Sequence, residues 1–359
     1  MVFGYSSVGY QGRGADGRSL AAPKPLLDSG RVYATRGNTV KLCDRSLKAV
    51  VGTEQKYRII GLGEALWDLL PDGKQLGGAP ANFAYHAHAL GADAWPLTRV
   101  GKDTDGDAIL DRLRSLGLPV DGVQVDPDAP TGTVSVELLP GGRHRFTIHE
   151  NVAWDRIEAT DAALALAASA DAVCFGTLGQ RCEPSRSAIQ SIVAAVPATG
   201  LRIFDINLRQ HFYSRGVVES SLEIANVLKI NDEELPVAAE MFSLKGDAVA
   251  QMLEMARRFE LKLAALTRGD AGSLLVAGGR ISSVGGTAVE VVDTIGAGDA
   301  FTAAMSLGWL ANWDLDEINR CASAVASFVC SRPGATPPLP AHLASPFTAR
   351  SAGTAVASR

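Results

Sequence analysis

The chain has 359 residues, of which 47% are hydrophobic and 20% are charged, and its formal net charge is −5. This composition is typical of an ordinary soluble core, organised as one large α/β domain or two smaller ones. The sequence contains no basic run, which argues against a nucleic-acid or membrane-surface partner, and no apolar run reaches the ~18 residues that a membrane helix needs.

The cysteines give no sign of a disulfide framework or a metal site. They form an odd, scattered set without a C-x-x-C pair: Cys43, Cys174, Cys182, Cys321 and Cys330. Two of them fall in apolar elements, so we expect buried reduced thiols and a cytoplasmic protein. No H-E-x-x-H motif and no clustered His/Cys spacing is present, which argues against zinc or another transition metal.

The two ends of the chain differ from its middle. Residues 1–55 are rich in Gly, Ser and Arg, show no sustained period and lack the apolar core of a signal peptide. Residues 344–359 end in a similar composition of small residues. We therefore predict a flexible N-terminal extension over 1–55, a folded domain over 56–343 and a flexible tail over 344–359.

The folded region opens with a predicted strand, Tyr57–Ile60, followed by a G-x-G at Gly61 and Gly63. Leu66 stands where a dinucleotide fingerprint needs its third glycine, and no long helix opens there, which argues against a Rossmann cofactor site. The sequence also lacks a G-x-x-x-x-G-K-[ST] loop. Any nucleotide must therefore be held in another way.

A glycine pair, Gly77 and Gly78, precedes the first predicted helix, in which Pro80 suits the first helical position. The pair is either a plain turn or a hinge beside a polyol ligand, which Asn82 in the first helical turn would contact. A second helix is predicted from Asp103, its N-cap, to Gly117.

Two alternating segments, Thr131–Leu138 and Arg145–His149, are joined by Pro140–Gly142 and predict a β-hairpin. A hairpin that interrupts a βα pattern is often a lid. An extra edge hairpin explains the same pattern equally well.

From Asp161 onward, strand and helix patterns alternate. The predicted strands are Ala172–Phe175, Leu201–Ile206, Val227–Ile230, Leu263–Thr267, Ser273–Ala277 and Val289–Val292. The predicted helices are Asp161–Ala170, Ser185–Val196, Asp247–Phe259, Gly298–Leu310 and Asp316–Val329. This alternation predicts an α/β fold with a doubly wound, mostly parallel sheet flanked by helices on both faces.

Polar segments follow four of the predicted strands, at Asp205–Arg209, Lys229–Glu234, Thr267–Gly272 and Asp293–Asp299. Ligands of such sheets bind beyond the carboxyl ends of the strands. Each segment alone is explained by a capped loop. Four of them on one edge of one sheet predict an active site.

The segment Asp293–Asp299 reads D-T-I-G-A-G-D and precedes an aliphatic helix. Its glycines let a ligand approach the free N–H groups of the helix start, where the helix dipole favours an anion. Asp299 lies at the same place, where the dipole also stabilises a carboxylate. Phosphoryl transfer to a hydroxyl needs such donors together with a base. A purely structural glycine-rich cap is the alternative, but it does not explain the two acids or the other matching segments.

With these segments in place, residues 57–343 resemble the ribokinase-like (PfkB-type) carbohydrate kinase family. Gly77–Asn82 matches its N-terminal signature, and Asp293–Phe301 matches its C-terminal signature. Asn231–Glu234 fits its N-x-x-E element, and Thr267–Gly272 fits its T-x-G-x-x-G nucleotide loop. The resemblance implies a ribokinase-like fold with a small β lid formed by about 64–78 and 131–150.

The resemblance also implies roles for individual residues. Asp299 would be the catalytic base, and the anion hole would be the backbone of Gly296, Ala297 and Gly298. The sugar would be held by Asp68, Gly77, Gly78 and Asn82. ATP would be held by Arg209, Asn231, Thr267, Gly269 and Gly272. Asn231 and Glu234 would place Mg²⁺ through water, and Asp293 with the loop 331–335 matches a site for a monovalent cation such as K⁺.

The segments Leu66–Pro71, Leu97–Gly101 and Asp205–Arg209 look most like the fructokinase branch, which implies ATP-dependent conversion of fructose to fructose 6-phosphate. The runner-up is 2-keto-3-deoxygluconate kinase, whose acidic substrate Arg143 or Arg145 on the lid would bind. Ribokinase is a third candidate. A catalytically silent sugar or nucleotide sensor is an alternative of a different class. If the lid hairpin pairs across a two-fold axis, as in some relatives, the protein is a homodimer.

Overall fold

The computed structural model describes residues 56–70, 73–139 and 143–351, and for 136–139, 143–145 and 349–351 it describes the backbone alone. The strands are β1 Arg58–Leu62, β2 Leu66–Leu70, β3 Gly73–Gly77, β4 Asp93–Gly101, β5 Val123–Asp126, β6 Gly132–Leu139, β7 Arg143–Ile148, β8 Ala172–Phe175, β9 Leu201–Asp205, β10 Val227–Asn231, β11 Leu263–Thr267, β12 Ser273–Ala277 and β13 Arg280–Val284. The helices are α1 Ala79–Ala89, α2 Thr104–Ser115, α3 Asp161–Ala168, α4 Glu183–Ala195, α5 Arg215–Ile224, α6 Glu234–Phe242, α7 Ala248–Arg258, α8 Ala297–Leu310, α9 Leu315–Cys330 and α10 Ala341–Ser351. The predicted extension over 1–55 lies outside the described residues.

The larger sheet has nine strands in the order β13-β12-β11-β10-β9-β8-β1-β4-β5. All neighbouring pairs from β11 to β5 are parallel, whereas β12 is antiparallel to both β11 and β13. The predicted α/β fold with a mostly parallel sheet is therefore confirmed. Because the parallel strands share one direction, their carboxyl ends meet along one edge of the sheet.

Two hydrophobic clusters cover the two faces of this sheet. Successive residues of β1 point to opposite faces, so Ile60 and Leu62 join the cluster that contains Ile189 of α4. Ile59, the residue before Ile60, joins the opposite cluster with Phe301 of α8. Burial on both faces explains why these strands read as continuous apolar runs.

A second sheet of four strands has the order β3-β2-β6-β7, and we call it the lid sheet. The predicted hairpin is present as the antiparallel pair β6–β7, and β2 joins it through a parallel pairing with β6. The lid sheet is tied to the rest of the domain by Trp67, whose Nε1 donates to the Asp105 carbonyl at 2.9 Å. The side chains of Arg143 and Arg145 lie outside the described residues, as does the turn over 140–142.

Arg181 fastens the other end of the lid sheet. Its guanidinium binds both carboxylate oxygens of Asp155, at 2.7 and 2.8 Å, and it donates to the His149 carbonyl next to β7 at 2.6 Å. The same group lies over the Trp154 ring, 3.9 Å from its centre. A bidentate ion pair with a stacked aromatic ring gives Arg181 one fixed geometry.

The predicted strand Val289–Val292 is wrong. The structure has no regular element there, and the side chains of Val291 and Val292 are 60% and 57% exposed. The edge of the sheet is formed instead by β13, which pairs with β12. The valine run has the composition of a strand but no free sheet edge to join, because β13 already occupies that edge.

The C-terminal boundary also differs from the prediction. Helix α10 extends to Ser351, so the chain is helical over 344–351, where a flexible tail was predicted. Phe347 is buried and its ring stacks on Trp313 with a centre-to-centre distance of 4.7 Å. This burial accounts for the helix, and residues 352–359 lie outside the described ranges.

Among the described cysteines, Cys174 is buried and Cys182, Cys321 and Cys330 are partly buried. The thiols of Cys174, Cys182 and Cys330 are free. Cys43 lies outside the described residues. Within the described ranges, the helices are all too short or too polar to cross a membrane.

The Phe347→Ala substitution tests the packing of α10. Removing a buried aromatic ring from a terminal helix should lower the free energy of unfolding by about 2–4 kcal/mol. Urea denaturation measures this loss, and His342→Ala on an exposed position of the same helix is the control. An unchanged midpoint for Phe347→Ala would mean that α10 does not contribute to the fold.

Candidate active site

A cavity of about 500 Å³ opens at the carboxyl edge of the large sheet. The lid sheet contributes apolar and acidic residues to its wall, among them Leu66, Asp68 and Ile148. The sheet edge contributes residues such as Asn231 and Asp299. A larger, open groove lies elsewhere on the surface, but none of the predicted site residues lines it.

The start of α8 forms one side of this cavity. Gly296 has φ +79° and packs on Ala335 so closely that a Cβ atom would lie 2.3 Å from the Ala335 carbonyl oxygen. Only glycine fits here. The helix begins at Ala297, whose N–H donates to the Thr294 carbonyl at 3.4 Å, so this member of the predicted anion hole is not free. Gly296 and Gly298 line the cavity, and the N–H groups of Gly298 and Asp299 donate to no atom of the described residues. These free donors and the helix dipole make the turn suitable for binding an anion.

The carboxylate of Asp299 lies beside these donors and lines the cavity. Its Oδ2 accepts a hydrogen bond from Asn82 Nδ2 at 3.0 Å. Burial, and next the negative charge of Asp205, raise the pKa of Asp299 to about 6, while Lys229 and the bond from Asn82 oppose this rise. Asp299 is therefore ionised at neutral pH, with a pKa close enough to 7 to accept a proton from a hydroxyl.

The four predicted sugar-binding residues, Asp68, Gly77, Gly78 and Asn82, all line the same cavity. A Cβ atom on Gly77 would lie 2.3 Å from Asp68 Oδ2, so the glycine makes room for that carboxylate. Gly78 has φ +110°, a conformation that favours glycine at the turn into α1. Burial raises the pKa of Asp68 to about 6.

The predicted nucleotide-binding residues divide into two groups. Arg209, Asn231 and Thr267 line the cavity, whereas Gly269 and Gly272 do not. Gly272 packs against β13, where a Cβ atom would lie 2.0 Å from the Val284 carbonyl oxygen. This close packing explains why position 272 is a glycine, whether or not it contacts a nucleotide. The nucleotide contacts of Gly269 and Gly272 stay predictions.

Asn231 and Glu234 form a compact hydrogen-bonded unit at the start of α6. Glu234 accepts from the Leu208 N–H at 2.9 Å and from the Asn231 N–H at 3.0 Å, one on each carboxylate oxygen. Asn231 Oδ1 accepts from the Glu234 N–H at 2.8 Å. Asn231 Oδ1 also accepts from the Glu233 N–H at 3.0 Å, so both of its lone pairs are used. Each carboxylate oxygen of Glu234 keeps one lone pair for a water molecule, which fits a hydrated Mg²⁺, and a role of Asn231 in placing that ion stays a prediction. No group of three His, Cys, Asp or Glu side chains that could hold a metal directly occurs in the described part of the chain.

Asp293, predicted for a monovalent cation, joins two loops. Its Oδ1 accepts from the Ile295 N–H and its Oδ2 from the Gly334 N–H, both at 3.0 Å. These bonds hold the segment before α8 against the loop after α9. They give Asp293 a structural role, and the cation remains a prediction.

Two cavity residues were missed by the sequence reasoning. Glu64 is 3% exposed, and its Oε2 has no hydrogen-bond partner among the described residues. Burial raises the pKa of Glu64 to about 7. Lys229 is 7% exposed and its Nζ binds Asp205 Oδ1 at 3.1 Å. A lysine inside the apolar strand before Asn231 was the signal in the sequence.

The comparisons with known proteins identify the family of this chain. Residues 72–342 match the pfkB family of carbohydrate kinases. The chain is a member of this family. It is 32% identical to a fructokinase of Klebsiella pneumoniae over 263 residues, which cover 70% of this chain and 84% of the relative. The kinase therefore transfers phosphate to a sugar hydroxyl.

Solved structures give the same fold. A Vibrio cholerae fructokinase with bound fructose, ADP and calcium superposes with a TM-score of 0.65 at 25% identity, covering 81% of this chain and 99% of that one. A Xylella fastidiosa fructokinase with bound ATP gives a TM-score of 0.72 at 22% identity, covering 83% and 100%. At this lower identity the likeness shows the fold alone.

The pKa of Asp299 predicts the pH dependence of the kinase. If Asp299 is the base, its protonation as the pH falls through about 6 should lower kcat/KM for the sugar tenfold per pH unit below that value. The measurement is kcat/KM for the sugar from pH 5 to 8 at saturating ATP. The Asp68→Asn variant should keep this limb, because Asp68 does not take the proton. A kcat/KM that does not change with pH, or that begins to fall only near pH 4, would contradict the role of Asp299.

Proposed function

We propose that this kinase uses ATP to phosphorylate fructose, giving fructose 6-phosphate. The observation that carries the proposal is the position of Asp299, which is hydrogen-bonded to Asn82 at 3.0 Å and lines the cavity together with Gly298, whose N–H has no partner among the described residues. This arrangement offers one group to take a proton from a hydroxyl and others to receive a phosphate. The fructokinases among the relatives support the choice of sugar.

In the proposed reaction a sugar hydroxyl attacks the γ-phosphorus of ATP in line with the bond to ADP. A new O–P bond forms, the bond to the bridging oxygen breaks, ADP leaves, and the hydroxyl proton passes to Asp299. The N–H groups of Gly298 and Asp299 donate hydrogen bonds to the phosphoryl oxygens. These preorganised dipoles stabilise the charge that develops on the oxygens. Mg²⁺, held through water by Asn231 and Glu234, would neutralise charge on the ATP phosphates.

The charges of the cavity favour a neutral sugar over a sugar acid. Three carboxyl groups line the described part of the wall, those of Glu64, Asp68 and Asp299. The cations beside them are Arg209 and Lys229, and the ammonium of Lys229 is already paired with a carboxylate. The carboxylate of 2-keto-3-deoxygluconate would add another negative charge here, whereas the hydroxyls of fructose can donate to the acids.

The Asp299→Asn variant tests the base. The amide has the same shape but accepts no proton, so kcat should fall about 10³-fold, within the range that general-base catalysis supplies. The dissociation constant for ATP, measured by calorimetry, should change less than threefold, and the melting temperature should not fall. A kcat within tenfold of the wild type would contradict the proposed mechanism.

A sugar panel tests the substrate. In a coupled assay of ADP release we expect kcat/KM for fructose to exceed those for 2-keto-3-deoxygluconate and ribose by at least about 100-fold, since unmatched polar groups in a buried site are costly. Water alone serves as the acceptor control. Higher turnover of the sugar acid or of ribose would reject fructose as the substrate while leaving the kinase activity intact.

A further inference from the structure

Lys229 lies beside the start of α8 without belonging to it. It is on β10, two residues before Asn231, and lines the cavity together with Gly298 and Asp299. A Cβ atom on Gly298 would lie 3.0 Å from Lys229 Nζ, so the ammonium packs closely against the first turn of α8. The side chain of Lys229 is 8% exposed.

The ammonium is charged and has donors to spare. Lys229 forms an ion pair with Asp205, in which its side chain carries the positive charge. An ammonium has three N–H donors. Among the described residues, its hydrogen-bond partner is Asp205 Oδ1 at 3.1 Å. Two donors therefore remain beside Gly298, in the cavity that both residues line.

The partner of Lys229 is itself held in place. The hydroxyl of Thr302 on α8 lies 3.2 Å from Asp205 Oδ2 and 2.9 Å from the Gly298 carbonyl oxygen. Asp205, Thr302 and the first turn of α8 thus form one connected group. The ammonium is fixed with respect to the backbone donors, as electrostatic catalysis requires.

We propose that Lys229 is a catalytic residue whose ammonium donates to an oxygen of the phosphoryl group during its transfer from ATP to the sugar. The proposal rests on the phosphate-binding role of the α8 start proposed above. Lys229 neither gains nor loses a proton in the step: the hydroxyl proton goes to Asp299 and ADP leaves. Its charge offsets the charge that spreads over the phosphoryl oxygens.

The competing explanation is that Lys229 and Asp205 are a buried ion pair that only supports the fold. Removing one partner of such a pair is strongly destabilising, whereas removing both is often neutral. We therefore compare Lys229→Met with the double variant Lys229→Met/Asp205→Asn. The double variant should regain most of the melting temperature lost by the single one.

Activity separates the two explanations. If Lys229 acts on the phosphoryl group, kcat should stay about 100-fold or more below the wild type in the double variant, with the sugar KM within about threefold, because a lost transition-state donor lowers kcat. Recovery of kcat together with the melting temperature would overturn the proposal. A matched control is the buried pair of Arg99 and Asp126, whose Nε and Oδ2 are 3.0 Å apart. Arg99→Met/Asp126→Asn should change stability and leave kcat within threefold.

One further variant and the choice of sugar keep the test decisive. Lys229→Arg retains the charge, so its kcat should exceed that of Lys229→Met at least tenfold; equal values would overturn the proposal even if the double variant fails to fold. All assays use the sugar that the wild type turns over fastest. If that sugar is not fructose, the proposed substrate is rejected, but the conclusion about Lys229 is unchanged.

Discussion

The close packing of Gly296 against Ala335 fixes where helix α8 begins, and the active site depends on that position. With φ +79° and no space for a Cβ atom, the chain turns sharply before Ala297. The N–H groups of Gly298 and Asp299 have no partners among the described residues, and both residues line the cavity. Asp299 lies in the same helical turn, so the proposed base and the proposed anion donors belong to one rigid unit.

Helix α1 is fastened to the segment that supports this turn. The Tyr85 hydroxyl donates to the Pro337 carbonyl at 3.1 Å, and His86 Nε2 lies 2.9 Å from the Ala335 carbonyl oxygen. Burial lowers the pKa of His86 to about 4, so the ring is neutral and donates through Nε2–H. Asn82, one turn earlier, contacts Asp299. The sugar side and the phosphate side of the cavity are thus held in one geometry by α1.

The sequence predicts what depends on local pattern. The strands Ala172–Phe175 and Leu263–Thr267 have the predicted bounds, because both are apolar runs that neighbouring strands and helices cover on both faces. A local sequence pattern gives the wrong prediction where contacts with distant parts of the chain determine the structure. Val289–Val292 has the composition of a strand, but β13 holds the edge it would join. Likewise, a function for Lys229 becomes visible only when the fold brings it to Asp205, 24 residues away, and to Gly298.

The proposed mechanism is tested most directly by a crystal structure of the kinase with fructose, ADP and aluminium fluoride. Aluminium fluoride mimics the phosphoryl group during its transfer. We expect the attacking hydroxyl to lie about 2.6–3.2 Å from the Asp299 carboxylate, the distance at which a general base acts. We also expect the fluorine atoms to face the N–H groups of Gly298 and Asp299. A fluoride group bound away from the start of α8, or a hydroxyl turned from Asp299, would contradict the proposed mechanism.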